Sequence, residues 1–192
     1  MAGPPAKMNA RSDMVLGTTR DVVKTQIENA AAVLIGKSMW KCTRAADLAS
    51  FQFGARSKVP SFRNMIKEVG EVALHVQCAW RIARKDRVIV GSRDLYYPAH
   101  FSDDEEVPPE FDWDRDPNLR DKKVQSLFAD GTVEFTVLSV EAGPAGSLRI
   151  ALTADLFLDI LPYDSLLHEH WRLFDPRTDT PHFVVTGAGI ET

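Results

Sequence analysis

Only two of the 192 residues are cysteine, Cys42 and Cys78, so no disulfide framework holds this chain together. A reducing compartment is the expected setting, and the cytoplasm the expected address. No window holds the eighteen or so consecutive apolar residues of a membrane-spanning helix. Residues 1–13 carry no apolar run of the secretory kind. A basic surplus is missing too: 23 Lys and Arg stand against 27 Asp and Glu, a formal net charge of −4. That argues against nucleic acid as a partner, because general binding needs enough cations to displace condensed counterions. There is no internal repeat, no low-complexity block and no Gly-x-Ser-x-Gly nucleophile elbow.

What remains is 44% apolar and 26% charged, the balance of a globular protein. The expected organisation is a frayed tail over residues 1–13, then a single domain over residues 14–192. Val23, Ile27, Ala30, Ala31 and Leu34 recur on one face of a helix between Thr18 and Leu34. Thr18 and Asp21 have capping-box spacing, and Gly36 supplies a left-handed stop. The apolar run Ala31–Ile35 could equally open a strand. Ser38–Thr43 and Leu48–Phe53 read as short strands joined at Arg44–Asp47, with Trp40 and Phe51 as core anchors. Arg56–Pro60 reads as a basic connector and Ser61–Lys67 as a brief helical turn.

The clearest pattern follows. Val72, Leu74, Val76, Cys78, Trp80 and Ile82 alternate with Ala73, His75, Gln77, Ala79 and Arg81, which describes one strand with a buried and a polar face. A charged turn, Ala83–Arg87, joins it to Val88–Val90 as a hairpin.

Pro98–Asp116 is a different material. Asp103, Asp104, Glu105, Glu106, Glu110, Asp112, Asp114 and Asp116 face one base, Arg115, so this window carries −7 and the rest of the chain is net basic. Pro108 and Pro109 block regular structure, and so many unpaired charges demand a solvated loop. Asp116 then reads as the cap of a helix with Pro117 at its first position, laying Leu119, Lys123, Leu127 and Phe128 on the sheet and ending at Gly131. Strands resume at Val133–Val140, Leu148–Thr153 and Leu156–Leu161, with a loop at Glu141–Ser147 and a tight turn or bulge at Ala154–Asp155. His168–Phe174 and His182–Thr186 close the series around the turn Asp175–Pro181. Many strands with short turns and two helices predict an α+β domain, mainly antiparallel β, as a curved sheet or two packed sheets.

Several motifs fail on spacing. Gly36–Lys37–Ser38 ends like a phosphate loop, but Ala31 stands where its first glycine belongs. Gly187–Ala188–Gly189 lacks the following helix of a dinucleotide fingerprint. Asp112, Asp114 and Asp116 have calcium-loop spacing, yet Pro117 and Lys123 occupy its required Gly and Glu positions.

Two constellations survive. His168, His170 and Arg172 share one side of an extended strand, and His-x-His is half of a metal site that His75 or His182 could complete, with Glu169 or Asp164 as a base. The spacing is not diagnostic, so neither metal nor cofactor is expected; His168 and His170 are the weak candidates. Together with His75, Gln77, Arg81 and Arg172 they form a candidate ligand-binding face, provided that the Trp80 and Trp171 strands are neighbours. The second constellation is the acidic loop, where Phe111 and Trp113 beside Asp112 and Asp114 suit contact with a basic protein. Arg81, Arg84, Lys85 and Arg87 form a basic turn that could receive an anion or the acidic loop of a second copy. Cys78 is expected to be buried and inert, and Cys42 reactive only if exposed beside Lys41 and Arg44.

The string Ala73-Leu-His-Val-Gln-Cys-Ala-Trp-Arg-Ile82, then Gly91–Asp94, His170-Trp-Arg-Leu-Phe-Asp-Pro176 and His182-Phe-Val-Val-Thr-Gly187, resembles a group of small bacterial proteins without an assigned activity. The likeness runs from about Leu34 to Gly189 and implies no catalytic residue. The expectation is a non-catalytic bacterial protein acting through a protein partner, possible homo-oligomerisation included, with immunity-like neutralisation of a basic partner as one such role. The alternative is a small-ligand or metal-dependent enzyme using the His/Arg face.

Overall fold

A computed structural model describes residues 22–61 and 65–191. The tail, the Thr18–Asp21 capping box and residues 62–64 lie outside the described residues. The first helix, α1, covers residues 22–31 and a 3-10 turn continues it through Ala32–Leu34. Ile27, Ala31 and Leu34 are fully buried, as the period-3.6 pattern requires. Gly36 sits at φ +80°, the left-handed conformation in which the chain leaves the helix.

Thirteen strands follow among the described residues. They are β1 Ser38–Ala45, β2 Leu48–Phe53, β3 Ser57–Pro60, β4 Ile66–Val69, β5 Val72–Val76, β6 Ala79–Arg84, β7 Arg87–Gly91, β8 Phe135–Ala142, β9 Leu148–Leu152, β10 Leu156–Leu161, β11 Glu169–Phe174, β12 Phe183–Thr186 and β13 Gly189–Glu191. The second helix, α2, spans Leu119–Phe128 between β7 and β8. The α+β, mainly antiparallel architecture is therefore present, with β3–β4 as a separate ribbon beside one large sheet.

That sheet runs β13-β12-β11-β5-β2-β1-β8-β9-β10-β6-β7. β5 and β6 are consecutive in the chain, separated by Gln77 and Cys78 alone, yet they pair with strands at opposite ends of the series β2-β1-β8-β9-β10. Those five strands must wrap round to meet both halves of one bent ribbon, which closes a barrel. The single strand expected over Val72–Ile82 is corrected to two strands around a bulge. The amides of Gln77 and Cys78 both donate to the carbonyl of His170, at 2.8 and 3.2 Å, so two residues oppose one. Inward alternation survives the bend: Val72, Leu74, Val76, Cys78, Trp80 and Ile82 are all buried. The other side of β5 does not face water, since Ala73 is 1% exposed and His75 is half-buried.

Inside the barrel, Phe51 of β2 meets Trp80 of β6 edge-to-face, with ring centroids 5.1 Å apart. Trp171 donates from its indole to the Gly146 carbonyl at 2.8 Å, and Trp40 to that of Gly54 at 3.0 Å. In the three-residue connection between β9 and β10, Ala154 and Asp155 take φ 61° and 57°, the left-handed conformation of a tight hairpin.

Three further expectations are corrected. Arg56–Pro60 is not a mere connector, because β3 pairs with β4 from Ser57↔Val69 to Pro60↔Ile66; this makes Ile66 and Lys67 of the expected helical turn Ser61–Lys67 strand residues, while its residues 62–64 lie outside the described ones. The cap of α2 is Asn118, whose Oδ1 accepts from the amide of Asp121 at 2.9 Å; Asp116 instead accepts from the amide of Asp112. Pro117 thus precedes the cap. The helix stops two residues before Gly131, at Ala129, which takes the left-handed conformation.

Candidate functional site

The residues expected to form one His/Arg face are divided among four places. His75 and Arg172 are register partners on β5 and β11 and point outward from the barrel. The Arg172 guanidinium lies over Phe174, whose ring meets His75 edge-to-face and stacks on His182 at 4.3 Å. Burial, with the nearby cations Arg172 and Lys67, pulls the His75 pKa down to about 4, so this imidazole is neutral at physiological pH. Arg172 also ion-pairs with Glu169 at 3.2 Å.

Arg81 belongs elsewhere. It and Arg149 flank Asp159, which is 5% exposed at its side chain, and the three residues align across β6, β10 and β9. This triplet is a strand tie. Gln77 is exposed at the bend, lining a cavity of about 280 Å³ with Cys78, Ser92, Arg93, Tyr96 and Tyr163.

His168 and His170 converge on Asp164. The Nε2 of His168 is 3.0 Å from Asp164 Oδ2, and the Nε2 of His170 is 3.1 Å from Oδ1. A bulge in β11 produces this arrangement. Glu169 pairs with Thr186 and Trp171 with Val185, leaving His170 as the extra residue. The bulge breaks period-two alternation, and Glu169 reaches Arg172 three positions on. The shared side expected for His168, His170 and Arg172 is therefore corrected: the two histidines turn to Asp164 while Arg172 turns to Glu169 and Phe174. His75 and His182 stand with that second group.

Asp164 is presented by the loop between β10 and β11. Its Oδ1 also accepts from the Leu166 amide at 3.0 Å. That bond, followed by the one to His170, holds its carboxyl down at about 2. Gly187 passes directly beneath the loop: a Cβ there would come within 2.5 Å of the Leu166 carbonyl oxygen. His170 is 1% exposed, stacks on Tyr163 at 5.9 Å, and has no hydrogen-bond partner at Nδ1 among the described residues.

The acidic loop is partly folded. Its ends are joined by the Pro98↔Asn118 bridge and by the Ala99 amide donating to the Pro117 carbonyl at 2.9 Å. Asp114 and Asp121 share Arg44, each at 2.8 Å, and Asp112 is 3.6 Å from Arg115. Phe111 and Trp113, expected as exposed contact residues, are half-buried, and Trp113 packs edge-to-face on Tyr96. Residues 102–110, by contrast, are exposed throughout.

No family model, curated protein or solved structure matches this chain. The functional reading therefore rests on side-chain chemistry. Both thiols are poor nucleophiles, since burial pushes each up to about 12; the pull of Arg120 on Cys42 does not offset it. Asp164 was legible only as a candidate base, because a loop residue shows no spacing relative to the strand histidines that it meets. Asp159 and Arg44 were missed, having no motif around them.

Proposed function

We propose that this chain works by binding, capturing a basic protein partner through the carboxylates of residues 103–110. One observation carries the reading: Asp103, Asp104, Glu105, Glu106 and Glu110 are exposed, and no ion pair to a described base engages any of them. The neighbouring acids Asp112 and Asp114 stand within ion-pair distance of Arg115 and Arg44, so unpaired acid is densest in the arc over residues 103–110. The bridged ends and the Trp113–Tyr96 contact hold that arc against the barrel, which lowers the ordering cost of docking. Carboxylates crowded at this density repel one another, and a cationic partner relieves the repulsion while being steered to the arc. Immunity-like neutralisation of a basic partner fits this chemistry. The basic turn at Arg84, Lys85 and Arg87, also exposed, makes a second copy of the chain the competing partner.

The test is a charge-neutral variant, Asp103→Asn, Asp104→Asn, Glu105→Gln, Glu106→Gln and Glu110→Gln, compared with the wild type in affinity capture and sedimentation. The expected result is a basic polypeptide retained by the wild type alone, with binding that weakens steeply between about 50 and about 300 mM salt. Equal retention by the variant, or salt-independent binding, refutes the proposal. Salt-sensitive self-association that the variant abolishes identifies the second copy as the partner.

A further inference from the structure

We propose that Asp164, His168 and His170 form a binding site for a divalent first-row transition-metal ion of the zinc type. The observation is convergence: one ligand atom from each residue lies within 4.8 Å of the other two. Among the described residues no other group of three His, Cys, Asp or Glu side chains comes together in this way. Zinc binds imidazole nitrogen and carboxylate oxygen at about 2.0–2.2 Å, so donors around one ion stand 3–4 Å apart. The two Asp164–histidine separations, 3.0 and 3.1 Å, already fall in that range. They end on the two different oxygens of the carboxylate, so an ion would draw one oxygen and the two imidazoles together from separations within 4.8 Å. Two imidazoles with one carboxylate favour zinc and its neighbours over calcium or magnesium, which prefer all-oxygen shells.

The site is held by its surroundings. The Leu166 amide fixes the Asp164 carboxylate, Gly187 leaves the loop no room to shift inward, and the β11 bulge aims His170 at it. Burial and the Tyr163 ring immobilise His170, whereas the His168 side chain is 57% exposed and leaves one side of the site open to water. Three protein ligands with an open position is the composition of a zinc site that admits an exogenous ligand. In the metal-free state each imidazole Nε2–H donates to Asp164. A cation takes the place of those two protons, and each ring then carries its proton on Nδ1. His170 Nδ1 has no acceptor among the described residues, and a missing outer partner of this kind costs about 10–100-fold in affinity. The expected dissociation constant for Zn2+ is therefore micromolar, well short of that of a fully supported structural site.

The experiment uses the full chain without a polyhistidine tag, stripped with chelator and titrated with Zn2+ by calorimetry and with Co2+ by visible absorption. The expected result is one Zn2+ per chain with a dissociation constant below about 100 μM, together with cobalt d–d bands. His168→Ala, at an exposed position outside β11, should weaken zinc at least about tenfold and remove the cobalt bands while leaving the urea midpoint unchanged. Asp164→Asn should do the same to the metal, and His182→Ala should change nothing. Absence of saturable binding below about 100 μM, or binding that survives His168→Ala, overturns the proposal.

Discussion

The carboxylate of Asp159 provides a test of how the barrel wall is held. It receives two bonds from Arg149 of β9, at 2.6 and 3.1 Å, and one from Arg81 of β6, at 3.0 Å. The three side chains are unequally exposed: 5% for Asp159, 45% for Arg81 and 52% for Arg149. Removing the acid and removing the bases are thus different perturbations. Asp159→Ala leaves two guanidiniums that reach water, so after discounting for solvent screening it should cost only about 1–2 kcal/mol. Arg81→Met with Arg149→Met strands a buried carboxylate, which should cost about 3–5 kcal/mol at pH 7. With a urea slope of about 2 kcal/mol/M the midpoints should fall by up to about 1 M and by roughly 2 M, respectively.

The pH dependence sharpens the contrast. In the native protein burial raises the Asp159 pKa, but the bonds from Arg149 and Arg81 outweigh burial and hold it below the ordinary value. Its contribution is present above the unfolded pKa and is lost as pH falls through the folded one. In the double variant burial is unopposed and the folded pKa moves above the unfolded one. The penalty should then shrink as acid protonates the group. Urea titrations of the three proteins between pH 4 and 7 decide the matter. Equal losses for the acid and base variants, or a double-variant deficit independent of pH, would refute the reasoning.

Two other substitutions check the fold. Trp80→Ala should lower stability by about 3–5 kcal/mol in urea titrations, whereas Trp80→Phe should cost under about 1.5 kcal/mol because the buried indole N–H has no acceptor among the described residues to lose. Asn118→Ala should cost about 1 kcal/mol and Asp116→Ala almost nothing; the reverse order in denaturation midpoints would return the helix cap to Asp116.

The hairpins were legible in the sequence because their determinants are local: short apolar stretches at β1, β2, β6 and β7, and polar or charged turn residues between them. The bend at Gln77–Cys78 was not, since an inward face that continues from one half of the barrel to the other keeps its period through a bulge. β3 and β4 escaped notice because four-residue strands, one ending in Pro60, carry too few alternations to register. Asp116–Pro117 imitates a helix start, and only the Asn118–Asp121 bond distinguishes the true one. At the candidate site the histidine pair was visible as a pattern. Its division from Arg172 was not, because the bulge at His170 depends on pairing with β12.

The bent ribbon has a consequence for how the chain acquires its shape. Because β5 and β6 belong to a single stretch shared by both walls, neither wall has a complete hydrogen-bonding complement until the other exists. Ribbon closure must wait for β8–β10, which lie more than fifty residues downstream, so the pairing is non-local and folding is expected to be slow and all-or-none. Amide exchange at Leu74–Ile82 should accordingly require opening of the whole molecule, and a chain severed in the exposed turn at Lys85–Asp86 should yield two pieces that acquire structure only in each other's company.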